Sequence, residues 1–116
     1  DEVMRMLGMY RVSILRPDAT RFTAHLIRCC NALREVVGEF CNFKKSKTIK
    51  EKIILVNTLE SDGDSLHYVA VDKLFASPED ALNVIVWKDI YDCFESCFDA
   101  CEHVADAIEE VILANN

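Results

Sequence analysis

Residues 77–114 read SPEDALNVIVWKDIYDCFESCFDACEHVADAIEEVILA. The stretch opens on a start signal. Ser77 is placed to cap, Pro78 suits the first helical position, and Glu79 and Asp80 lie in the first turn against the positive helix end. From there a helix is predicted to run to about Ala114. It holds about 35 residues and spans roughly 50 Å at 1.5 Å per residue. Val86, Ile90, Phe94, Cys97, Cys101, Val104, Ile108 and Ile112 form an apolar arc along it. Nearly opposite, Glu95, Asp99, Glu102 and Asp106 fall within roughly 60° of one another at about 100° per residue. Asp92 and Glu109 lengthen that acidic strip at either end.

The partners of this rod lie upstream. Thr48-Ile49-Lys50-Glu51 has the form of a capping box, with the Thr hydroxyl serving a backbone N–H and the Glu reaching back. A helix follows to about Phe75, with Leu55, Leu59, Leu66 and Leu74 as its expected buried face. Gly63 falls on the apolar side. A mid-helix glycine costs up to ~1 kcal/mol, so it is read as a point of close approach by a neighbouring helix. A further helix runs from about Asp18 to Cys41. Phe22, Leu26, Cys29, Leu33, Val36, Val37 and Phe40 form its stripe, with Arg21 and Arg28 outside it. Val3, Leu7, Tyr10 and Ile14 give residues 1–14 a helical period, ended at Arg16-Pro17-Asp18. That segment starts without Met or a cap, like the stump of a longer element. The expectation is an all-α single domain over residues 1–116. It is an antiparallel three-helix bundle over 18–115, preceded by a short N-terminal helix.

Composition agrees. The 116 residues are 51% hydrophobic and 28% charged, with three Gly and two Pro, too apolar for a disordered chain and too poor in turn residues for a β-sandwich. No apolar run approaches the roughly 18 residues of a membrane span, and no signal peptide is visible at Asp1-Glu2-Val3. Six cysteines do not make a disulfide framework. Cys93, Cys97 and Cys101 recur every four residues, where helical neighbours stand too far apart to bridge, and Cys29 and Cys30 are adjacent. All six are read as reduced, apolar core residues of a cytoplasmic protein.

The net charge of −7 is unevenly spread, at +5 over residues 1–50, −3 over 51–78 and −9 over 79–116. An end this acidic repels nucleic acid and attracts cations. Like charges at i,i+4 each cost a few tenths of a kcal/mol, and here they stack over four turns with no cation between them. A solvated face is the plain reading; a basic neighbour, a partner or bound cations would each relieve the repulsion. Glu60 and Asp64 repeat the spacing on the preceding helix, with His67 on the same line, beside the apolar stripe rather than opposite it. Two Glu-x-x-x-Asp pairs on facing helices would supply four carboxylates. Such an oxygen-rich set suits a divalent or trivalent cation, and an added His favours iron or zinc.

Other features carry less. Lys44, Lys45, Lys47, Lys50 and Lys52 can touch an anionic membrane surface, though a solvated loop is the plainer reading. His103 lies beside the acidic strip and reads as a surface residue, His25 and His67 have no diagnostic partner, and Trp87 reads as a core anchor. No Ser–His–Asp order, Gly-rich phosphate loop or His-Glu-x-x-His occurs.

Two segments resemble the signatures of PhoU-like proteins, most closely the Pit-accessory, or phosphate-transport-regulator, branch. They are Glu60-x-x-x-Asp64 and Phe94-Glu95-x-x-x-Asp99-x-Cys101-Glu102-x-Val104-Ala105-Asp106-x-Ile108-Glu109. The stretch from Leu74-Phe75 to Trp87-Lys88-Asp89-Ile90-Tyr91 resembles that branch's link between them. The resemblance covers residues 18–115, one three-helix repeat of a family that usually carries two; residues 1–16 would be the remnant of a preceding repeat. It implies a non-catalytic regulator of inorganic phosphate uptake, acting on a Pit-type permease or a phosphate-signalling kinase. It also implies metal ions held by Glu60, Asp64, Glu95 and Asp99, with Glu102 and Asp106 as additional ligands. The expected location is cytoplasmic, at the inner face of the membrane, with peripheral membrane association allowed. Pairing of two copies would follow if Met4, Leu7 or Met9 were exposed. A carboxylate-site metalloenzyme of the bundle type is the alternative, but its usual Glu-x-x-His pairs are missing. A purely structural module binding a basic partner is the other.

Overall fold

Buried residues recur at alternating spacings of four and three on every helix. Pro17–Phe40 (α1) buries Asp18, Phe22, His25, Cys29, Ala32 and Val36. Ile49–Ala76 (α2) buries Ile49, Ile53, Val56, Glu60, Gly63, Ala70 and Leu74, with His67 half-buried on the same line. Ala81–Ala114 (α3) buries Trp87, Tyr91, Phe94, Phe98, Cys101, Ala105, Ile108 and Ile112 on its central line. A repeat averaging 3.5 residues keeps one seam of each helix facing its partners, as in a coiled coil. This architecture is that of a computed structural model describing residues 17–76 and 80–115. The expected helix over 1–14 and the Ser77-Pro78-Glu79 signal lie outside the described residues.

Contacts between helices fix their directions. Gly63 meets Phe98 while His67 meets Asp92, so α2 and α3 run antiparallel. Lys52 meets Glu39 while His25 meets the Leu59 carbonyl, so α1 and α2 do too. All three pairs pack, giving a rod of 54 × 25 × 20 Å. The expected all-α three-helix bundle is the observed one. Among the described residues no helix is long and apolar enough to cross a membrane.

Aromatic side chains fill one end of the seam. Phe22 stacks on Tyr91, Phe94 and Phe98 at centroid distances of 5.0, 5.2 and 6.1 Å. Trp87, 1% exposed, anchors the core against Tyr91 as expected. Each such pair adds about 0.5–1.5 kcal/mol beyond its buried area.

Several local expectations are corrected. Leu55, Val37 and Val104 were placed on buried faces but are exposed, because the seams are rotated toward 53/56/60, 32/36 and 101/105/108. Thr48 does not cap α2 through its side chain. Ser46 Oγ accepts from the Ile49 N–H at 3.1 Å, and the Thr48 hydroxyl donates to Glu39 at 2.8 Å. Asp80, expected in the first turn of α3, is its cap, accepting from the Asn83 N–H at 2.8 Å. None of the six cysteines forms a disulfide, but only Cys29, Cys93 and Cys101 are buried; Cys30 and Cys41 are exposed. A thiol on the outside of a bundle has no core role.

Candidate metal centre

The acidic strip of α3 does not stand opposite the core. Asp92, Glu95, Asp99, Glu102, Asp106 and Glu109 are all half-buried. Each follows a core residue of the seam by one position, about 100° around the helix. That places the strip on the flank of the bundle, where α3 can meet α2.

Across that flank stands Glu60, which occupies a core position of α2 and is 8% exposed. Its approach to α3 depends on Gly63. A Cβ there would stand 2.5 Å from Phe98 Cδ2, so only glycine lets the ring and the α2 backbone come so close. Asp99 follows Phe98 directly. One carboxylate oxygen each from Glu60, Asp64 and Asp99 lies within 4.8 Å of the others. Asp64 is exposed and Asp99 half-buried, so the cluster opens from the seam to the surface.

Electrostatics follow from that crowding. Burial pushes the Glu60 carboxyl up to about 8, helped by hydrogen bonds with Asp99 and Asp64 and by the charges of Asp64 and Glu102. At neutral pH the Glu60 carboxyl therefore keeps its proton unless a cation replaces it. One further oxygen is unsatisfied. Asn57 stands one turn before Glu60, and its Oδ1 is buried with no hydrogen-bond partner. Carboxylate and amide oxygens are ligands for hard cations such as calcium, magnesium or trivalent iron. The donor set fits a metal ion.

Of the six ligands implied by the resemblance, the fold converges Glu60, Asp64 and Asp99. Glu102 is near enough for its charge to act on Glu60. Asp106 stands seven residues beyond Asp99, roughly 10 Å along the axis. Glu95 is engaged elsewhere. His67 Nδ1 lies 3.0 Å from Glu95 Oε2, and Nε2 lies 2.8 Å from Asp92 Oδ1. Lys88 completes the group at 2.6 Å from Asp92 Oδ2. Desolvation raises the Asp92 carboxyl, but the Lys88 ammonium and the His67 ring outweigh it and hold it below the usual range.

His67 therefore answers half of the charge-stacking problem on α3, a role its sequence context did not announce. The available signal was its place in the series 60, 63, 67, 70, 74. His25 was also without an expected partner. It is 6% exposed, its Nε2 lies 2.6 Å from the Leu59 carbonyl, and its ring meets Phe98 edge-on at 5.2 Å. A wide groove between α1 and α2, about 690 Å³ and lined by Arg28, Asn31, Arg34, Glu35, Leu55 and Leu59, shares no residue with the carboxylates.

Comparison with known proteins adds one relative. UPF0111 protein YkaA of Bacillus subtilis (strain 168) is 24% identical over 110 residues, 95% of this chain and 53% of that protein. The chain spans about half the length of that curated relative. No family model matches the chain, and no solved structure does. The likeness to YkaA is distant. It lends loose support to the PhoU-like resemblance and none to the Pit-accessory branch in particular.

Proposed function

We propose that this chain is a non-catalytic, cation-binding regulatory module of the PhoU-like kind, acting on inorganic phosphate transport. In this reading it belongs to the Pit-accessory branch and works at the cytoplasmic side of a membrane. It docks there on a Pit-type permease or a phosphate-signalling kinase. One observation carries the proposal: Glu60, Asp64 and Asp99 bring their oxygens within 4.8 Å of one another from two helices. A bound cation would neutralise these carboxylates and tie α2 to α3. Glu60 and Asp99 would hold it at the seam, Asp64 at the mouth. Glu102 would add charge that draws the cation in.

The mechanism in this reading is binding. The test is elemental analysis and calorimetric metal titration of the parent chain beside Glu60→Gln and Asp99→Asn. The reading requires metal in the parent, loss of it in both variants, and unchanged helical content. A parent that takes up no cation, or variants that keep it, would leave a structural bundle instead. The transport role is tested separately, by phosphate uptake in cells carrying the same variants.

A further inference from the structure

The rod has a second charged feature that the carboxylate site does not use. At the end where α1 passes into α2, residues 40–50 contain Lys44, Lys45, Lys47 and Lys50 and no acid. All four are exposed, and none has an ion-pair partner among the described residues. The neighbouring Lys52 differs. Glu39 takes it at 2.6 Å and Glu35 at 3.6 Å, so those two acids are spent on Lys52, and Glu51 in the first turn of α2 is the acid left beside the four tip lysines. The loop that carries them is built rather than loose. Phe43 stacks on Phe40 at 5.9 Å, Asn42 accepts from the Lys45 N–H at 3.1 Å, and Ser46 closes onto Glu39.

The last turn of α3 reaches the same end. Phe40 lines one open hollow with Val104, Ala107, Ile108 and Val111, so residues beyond 111 continue to the level of the loop. There α3 presents Val111 and Leu113, 44% and 60% exposed, just beyond Glu109 and Glu110. The tip thus sets four exposed lysines, unpaired among the described residues, against Glu51, Glu109 and Glu110, with the apolar Val111 and Leu113 at the same end. We infer that this end of the bundle seats on an anionic lipid bilayer, the lysines meeting headgroup phosphates and carboxylates and Leu113 entering the interface. The shape of the charge favours a flat partner. A sheet touched end-on meets only the tip, while most of the acidic strip lies farther than a Debye length of roughly 10 Å down the rod. A nucleic-acid duplex lying along the rod would meet that strip. The inference is independent of the metal reading, since it uses none of its residues.

The experiment is co-sedimentation of the chain with vesicles of phosphatidylcholine alone and with phosphatidylserine added, beside the variant Lys44→Gln/Lys45→Gln. Each lysine near an anionic surface is worth roughly fivefold in partitioning, so the double variant should lose about 25-fold. High salt should release the parent. Added inorganic phosphate at constant ionic strength should leave it bound, which separates a lipid surface from a free-phosphate site. Equal partitioning onto neutral and anionic vesicles overturns the inference, as does full binding by the variant. Retention of a DNA duplex through the same lysines, with no retention on vesicles, also overturns it. Both substitutions are in exposed loop side chains, and an unchanged circular dichroism melt confirms that the fold is not the cause.

Discussion

Gly63 and Phe98 meet so closely that a methyl group on the glycine would stand 2.5 Å from Cδ2 of the ring and 3.0 Å from Cε2. The ring cannot turn aside, because Phe22 stacks on one part of it and His25 meets it edge-on. Replacing Gly63 by Ala sets two effects against each other. Helix propensity favours Ala by about 1 kcal/mol. Overpacking a closed core costs about 1–3 kcal/mol. Gly63→Ala should therefore lower stability by about 1 kcal/mol in urea unfolding. Because it pushes α2 off α3, it should also weaken any cation affinity of Glu60 and Asp99. A stabilised variant would mean that the helices part at no cost.

The acid–base behaviour of Glu60 makes the second prediction. Its folded carboxyl sits at about 8, raised from 4.5. The fold thus prefers the protonated form. Its contribution to stability is complete below pH about 4.5 and is lost as pH rises to about 8, with no further change above. Metal-free protein should accordingly melt at lower temperature at pH 8 than at pH 5, and Glu60→Gln should flatten that slope. A bound cation competes with the same proton, so the melting shift produced by metal should grow over this window. Thermal melts at several pH values, with and without metal, read both effects.

His67 joins α2 to α3 through carboxylates on both ring nitrogens. Removing the ring leaves Asp92 and Glu95 facing each other across one turn of α3. Hydrogen bonds to charged groups are worth about 1.5–3 kcal/mol. His67→Ala should cost about 2 kcal/mol in chemical unfolding, and His67→Gln, which keeps one donor, less. Neither should unload the Glu60, Asp64 and Asp99 cluster, which makes His67→Ala a control for metal titration.

Glu39 organises the turn between α1 and α2. It accepts from Lys52, Ser46 and Thr48, and these hydrogen bonds hold its carboxyl down to about 2 from 4.5. A depressed acid contributes stability that is complete above the unfolded value and is lost as pH falls through the folded one. The parent should lose stability between pH about 4.5 and about 2 more steeply than Glu39→Gln. The variant should also melt lower at neutral pH, because Lys52 then has only Glu35 within reach. Parallel acid melts of the two proteins check the sign.

Much of this architecture could be read along the chain. The spacing of Phe22, Cys29 and Val36, the length of the run after Asp80, and the cost of a glycine at 63 are local or periodic properties. They imply three long helices and a point of close approach. Glu60-x-x-x-Asp64 and Glu95-x-x-x-Asp99 marked where oxygen ligands would concentrate. Tertiary packing decided which of those acids meet. A helical period says which side chains share a face, but not how far the helix is rotated about its axis against two neighbours. That rotation brought Trp87, Tyr91 and Phe98 inward, left Leu55 and Val104 outside, and moved the acidic strip from the far side to the flank. It sent Asp99 to Glu60 and Glu95 to His67, and it gave Lys52 to Glu39 while leaving the lysines of the loop without an ion pair among the described residues. Pairings between side chains on different helices depend on distances across the bundle, and those exist only once all three helices have packed.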